Sequence, residues 1–65
     1  MRLKVNGEDI ETAAATVLQL LQEKGIKPER VAVEVNLKVL RRADFERLPL
    51  HEGDTVEIVN FVGGG

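Results

Sequence analysis

The chain has no cysteine, no serine, no tryptophan and no tyrosine, and two phenylalanines are its whole aromatic content. Without cysteine there is no disulfide, no thiolate metal site and no thiol nucleophile. No side chain can carry a persulfide either, so if the protein handles sulfur, the sulfur sits elsewhere. Without serine there is no serine triad. The single histidine, His51, precedes Glu52-Gly53-Asp54, which has the composition of a surface turn. It therefore reads as a turn residue rather than a metal ligand or a base. The carboxylates are scattered, with no spacing that sets two of them across a substrate, and no metal site is expected. A formal net charge of −2 offers no electrostatic footprint for nucleic acid. There is no apolar run of membrane-spanning length. Met1-Arg2-Leu3-Lys4-Val5 alternates apolar and basic residues, a strand pattern rather than a signal peptide. A cytoplasmic protein without membrane or nucleic-acid partners is the expectation.

What is present is aliphatic. Hydrophobic residues make up 43% of 65 positions, enough for a globular chain and too many for a disordered one. A chain of this size buries only about 60% of its unfolded surface. Its stability must come from regular secondary structure and from Val, Leu and Ile packing.

The opening strand turns at Asn6-Gly7, whose two residues tolerate the positive φ of a type I′ hairpin. A weak second strand is expected over about Glu8 to Thr12. Ala13-Ala14-Ala15 leads into a helix with Thr16 as N-cap and Gln19 three residues on, the spacing of a capping box. Val17, Leu18, Leu20 and Leu21 form its apolar stripe, and Gln19, Gln22, Glu23 and Lys24 face water. Gly25 is the expected C′ residue, Ile26 folds back onto the stripe, and Pro28 keeps the helix from resuming.

Val31, Val33 and Val35 alternate with Ala32 and Glu34, the cleanest strand of the chain. Asn36-Leu37 then occupies a tight turn before Lys38-Val39-Leu40. Leu37 is awkward there if the turn demands a positive φ. Arg41 to Leu48, with Ala43, Phe45 and Leu48, reads as a short helical turn that plugs one end of the core. The last strand is expected over Thr55 to Val62, with Val56 and Ile58 on one face and Glu57, Val59 and Phe61 on the other. Two hairpin-like pairs with a helix between them imply a small α+β domain: a mixed sheet with the helix on one face. By analogy with ubiquitin-like folds, the first and last strands lie side by side in the middle.

Beyond that strand stand Gly63, Gly64 and Gly65. Glycine adds no packing area and is costly to order, so this end is a poor way to finish a fold. It is a good stalk for carrying a carboxylate into a channel too narrow for side chains. The competing reading is ordinary fraying. A phosphate-binding glycine loop is excluded, because such a loop needs a helix after it.

Lys38, Arg41, Arg42 and Arg47 read either as solvated surface or as a docking patch for an acidic partner. Val59 and Phe61 read either as an exposed interaction pair or as residues partly covered by the Arg41–Leu48 segment. With the side chains set aside, the reactive group of interest is the α-carboxylate of Gly65. Adenylation by ATP would turn its oxygen into a leaving group, and a sulfur nucleophile could then displace AMP. Glycine leaves that carbonyl uncrowded.

Taken together, the Leu3-Lys4-Val5-Asn6-Gly7 opening, the Val31-Ala32-Val33-Glu34-Val35-Asn36 strand, the Leu50-His51-Glu52-Gly53-Asp54 turn and the terminal Val62-Gly63-Gly64-Gly65 resemble the ThiS sulfur-carrier proteins of thiamine thiazole biosynthesis. The resemblance runs over essentially the whole chain. Leu37 stands where that family usually has glycine. The resemblance implies a ubiquitin-like β-grasp domain over residues 1–62 of about five strands and one main helix, and a flexible reactive tail over residues 63–65. It implies a protein cosubstrate rather than an enzyme. A ThiF-type adenylyltransferase would use ATP and Mg²⁺ on the Gly65 carboxylate, the chain itself binding no cofactor. A cysteine desulfurase relay would supply sulfur, and a ThiG-type thiazole synthase would take it from the Gly65 thiocarboxylate. Gly63 and Gly64 would thread into the partner's active site, and Val59, Phe61 and Val62 would dock. Related expectations are a sibling carrier for molybdopterin synthesis or tRNA thiolation, a covalent ubiquitin-like modifier, and a non-covalent β-grasp interaction module.

Overall fold

A computed structural model describes residues 1–61. Strand β1 (Arg2–Val5) and strand β2 (Glu8–Glu11) form an antiparallel hairpin, with Leu3 opposite Ile10 and Val5 opposite Glu8. Asn6 and Gly7 take φ of 49° and 83°, the signs that a type I′ turn demands. Helix α1 (Val17–Glu23) follows, and a short 3₁₀ turn at Pro28–Arg30 leads into β3 (Val31–Val35). Strand β4 (Lys38–Val39) pairs back on β3, a second 3₁₀ turn covers Arg42–Asp44, and β5 (Thr55–Asn60) closes the sheet.

The strand order is β2-β1-β5-β3-β4. β1 and β5 are parallel neighbours in the middle, and β5 is antiparallel to β3. With α1 on one face, this is the expected β-grasp arrangement.

The core follows the period of two. Leu3, Val5, Val31, Val33, Val56 and Ile58 are buried on the inner face of the sheet and meet Val17, Leu20 and Leu21 of the helix. Thr16 caps α1 by accepting the Gln19 N–H at 3.2 Å. The Gln19 side chain reaches back one residue further than a capping box would, accepting from Ala15 N–H at 2.7 Å. Gly25, at φ 70°, is the C′ residue. Ile26 N–H bonds Leu21 O and Gly25 N–H bonds Gln22 O, the two bonds of a Schellman motif. This turn lays Ile26 against the core as expected.

Three local expectations are corrected. β2 stops at Glu11, and buried Thr12 beyond it bonds Met1 in the same register, its N–H donating to Met1 O at 2.9 Å and its O accepting from the Met1 amino group at 2.7 Å. The Thr12 hydroxyl accepts from Ala14 N–H at 3.0 Å and donates to the Glu23 carboxylate at 2.5 Å. Of the residues expected to plug the core end, only Phe45 is buried; Ala43 and Leu48 are exposed. The plug is instead tied by backbone bonds, Leu18 N–H to Phe45 O and Leu50 N–H to Ala15 O, both 2.8 Å, with Leu50 buried alongside. Finally, β5 ends at Asn60, and Phe61 lies just past it.

The β3–β4 turn does require the conformation that makes leucine awkward. Asn36 and Leu37 have φ of 52° and 72°, and Leu37 is 86% exposed. Its side chain gains nothing from the fold to offset a left-handed backbone that costs about 1–2 kcal/mol. Leu37→Gly removes that strain and loses about 0.4–1 kcal/mol through the freer unfolded chain. A net stabilisation of about 0.5–1 kcal/mol is expected in urea melts; a destabilised variant would show that the leucine is held by something other than the turn.

Candidate functional site

The elements converge on one end of β5. The central pairing fixes its first half: Lys4 and Val5 of β1 sit beside Thr55 and Val56. Two turn asparagines hold it further. Asn6 Oδ1 accepts the Ile58 N–H at 2.7 Å, where β1 has already turned away. Asn36 Oδ1 accepts the Thr55 N–H at 3.0 Å, and Asn36 Nδ2 donates to Asp54 Oδ1 at 3.0 Å. Asp54 Oδ2 also accepts the His51 N–H at 2.8 Å. The Leu50–Asp54 motif is thus a structural clamp that starts β5 in register. In the sequence Asn6 reads as a residue that tolerates positive φ and Asn36 as part of a tight turn. Their cross-chain hydrogen bonds left no sequence signal beyond the choice of Asn over Gly.

His51 lies in this turn, exposed, with Nδ1 3.9 Å from Asp54 Oδ2. Among the described residues no group of three or more His, Asp or Glu side chains is placed to hold a metal ion, and no helix is long and apolar enough to cross a membrane. Lys38, Arg41, Arg42 and Arg47 are all exposed, and Arg41 reaches Asp44 at 3.4 Å.

On the face of the sheet away from α1, register sets out a surface. Val59 stands opposite Ala32, and Glu57 opposite Glu34, which in turn faces Val39 of β4. Val59 is 59% exposed and Phe61 57% exposed. The Arg41–Leu48 segment does not cover them, because it packs against the helix start on the other side. Phe61 is still anchored to the domain, its N–H donating to Arg30 O at 2.9 Å. The structure therefore brings Val59 and Phe61 together on open surface at the exit of the last strand. Val62, Gly63, Gly64 and Gly65 lie outside the described residues.

Val59 and Phe61 thus form an exposed apolar pair beside the end of the last strand, and the chain as a whole is similar to known proteins. The family model described as ThiS family matches residues 3–65. The chain is 41% identical over 66 positions to a thiazole synthase of Paramagnetospirillum magneticum, all of this chain aligning with 20% of that protein. It thus spans about a fifth of that relative's length. It is 32% identical to the sulfur carrier protein ThiS of Bacillus subtilis, over 97% of this chain and 98% of that one. A crystal structure of the thiamine biosynthesis protein ThiS from Geobacter metallireducens superposes with a TM-score of 0.83 at 38% identity, each chain covered in full. Matched across nearly its whole sequence and sharing the strand order and helix placement of a solved relative, the chain belongs to the ThiS family.

Proposed function

We propose that this protein is a sulfur carrier of thiamine biosynthesis, a cosubstrate whose working group is the carboxylate of Gly65. The observation that supports this most directly is family membership over residues 3–65, which takes in the glycine end. The absence of cysteine and serine agrees with it, since sulfur must then be carried on the backbone.

In this reading a ThiF-type enzyme, with ATP and Mg²⁺, joins the Gly65 carboxylate to the α-phosphate and releases pyrophosphate. A persulfide from a cysteine desulfurase relay attacks the acyl carbon, and AMP leaves with the C–O electron pair. A second thiol then cleaves the acyl disulfide, forming a disulfide with the relay cysteine and freeing the thiocarboxylate. The resulting thiocarboxylate gives its sulfur to a thiazole synthase. The name thiazole synthase on a relative that contains a region like this chain favours thiazole over molybdopterin synthesis or tRNA thiolation. Gly63 and Gly64 provide a stalk without side chains, and Val59, Phe61 and Val62 provide docking surface beside it.

Incubation with the adenylating enzyme of the same organism, ATP, Mg²⁺ and sulfide is expected to raise the intact mass by one oxygen-to-sulfur exchange, located at Gly65 by fragmentation. An unchanged mass with an enzyme shown to be active rejects the carrier reading and leaves a non-covalent module. The docking assignment has its own test. Phe61→Ala is expected to weaken binding to the adenylating enzyme by about tenfold or more. It should change stability by less than about 1 kcal/mol, because the ring is more than half exposed. A large loss of stability with unaltered binding would instead assign Phe61 to the core.

A further inference from the structure

The centre of the open face holds a feature that the fold does not use. Glu34 and Glu57 are directly opposite in the β3–β5 ladder. Their pair is one of the hydrogen-bonded ones, as the flanking bonds Asn36 N–H to Thr55 O and Phe61 N–H to Arg30 O establish. Both residues are half-buried, so salt screens their repulsion less than it would on open surface. Like charges placed directly opposite destabilise a sheet.

The ion pairs among the described residues are at Glu11, Asp44 and Asp54, and neither Glu34 nor Glu57 takes part. Lys4 is on the same face, one row away beside Thr55, without reaching either carboxylate. The flanking groups are apolar and exposed: Val39 at 70% on the β4 side of Glu34, and Val59 two residues along from Glu57. An acidic pair outside every ion pair of the described residues, with exposed Val39 and Val59 beside it, is complementary to a cation set in apolar surface.

We propose that Glu34 and Glu57 together receive an arginine or lysine that the adenylating enzyme presents from within an apolar patch, so that this pair helps to select and orient the partner. The assignment rests on the carrier reading for the identity of the partner. Its chemistry rests on the charge and register of this face. A guanidinium suits the site better than an ammonium, because its planar fork can donate to two carboxylates at once. Burial of Val39, Val59 and Phe61 around the contact would exclude water and strengthen it.

The test uses the full chain and its Glu34→Gln/Glu57→Gln variant, titrated calorimetrically into the adenylating enzyme at low and at moderate salt. Removing the repulsion should raise the variant's Tm by about 2–4 °C. The same change should weaken its affinity about tenfold at low salt and flatten the salt dependence of binding. A more stable variant that binds less well is an outcome that a merely structural pair does not produce. Wild-type binding with equal or tighter affinity in the variant overturns the proposal and leaves the carrier reading standing. No binding by the wild type overturns both. Salt-sensitive dimerisation of the wild type in sedimentation, lost in the variant, would assign the face to a second copy and overturn the proposal.

Discussion

Adding one alanine after Gly65 is expected to abolish thiocarboxylate formation while leaving the domain as stable as before. In the proposed chemistry the acyl carbon of Gly65 must meet ATP and then a sulfur nucleophile at fixed points in another protein. An added residue removes that carboxylate by placing it in an amide. It also moves the new carboxylate onward by roughly 3.5 Å and puts a Cβ beside it. Misplacement by about 1 Å can cost 10²-fold in rate, so conversion should fall to background in the mass assay. Thermal melts should coincide, because the last backbone hydrogen bond described is Phe61 N–H to Arg30 O, upstream of the change. Full conversion of the extended chain would sink the assignment of Gly65. It would also bring back the reading in which the glycine end is inert.

The second large effect concerns the fold. Leu20→Ala is expected to cost about 3–4 kcal/mol. Leu20 is completely buried, in a cluster with Leu3, Val17, Leu21, Val33 and Val56, and α1 is the sole α-helix among the described residues that covers the sheet. A domain below about 70 residues has only about 3–5 kcal/mol from its core, and this one has no cysteine to cross-link it. The variant should therefore stand near its unfolding midpoint at 25 °C, visible by circular dichroism without denaturant. A cost below about 1 kcal/mol would mean that the helix does not supply the inner layer of the core. The two variants form a contrasting pair, one removing function without stability and the other stability without touching the candidate site.

Much of the architecture was legible because single-residue chemistry dictates it. Asn6-Gly7, Gly25 and the Val31–Val35 alternation each forced one local conformation, and each is found in the structure. Leu37 was legible as a conflict, and the turn indeed takes it to positive φ. Errors fell where a long-range contact outweighed local pattern. Leu48 and Ala43 are apolar residues of the Arg41–Leu48 segment, yet Phe45 and Leu50 are the ones buried at that end, and Leu48 and Ala43 stay outside. Gln19 matched a capping box in spacing, but its side chain accepts from Ala15 N–H, one residue before the cap, at 2.7 Å. The clamp joining Asn36, Asp54 and Thr55 spans up to 19 positions, beyond any local pattern.

By itself the sequence determined what chemistry this protein excludes and where its core would come from. Missing side chains remove reactions outright, and periods of 2 and 3.6 select burial one residue at a time. Which residues of different strands face one another, and whether the outer face is left uncovered, was decided only by tertiary structure. The exposure of Val59 and Phe61 depends on where the Arg41–Leu48 segment packs, and the confrontation of Glu34 with Glu57 arises from the register between β3 and β5. That register is set by pairings and side-chain bonds between residues far apart in the chain, which no window along the chain contains.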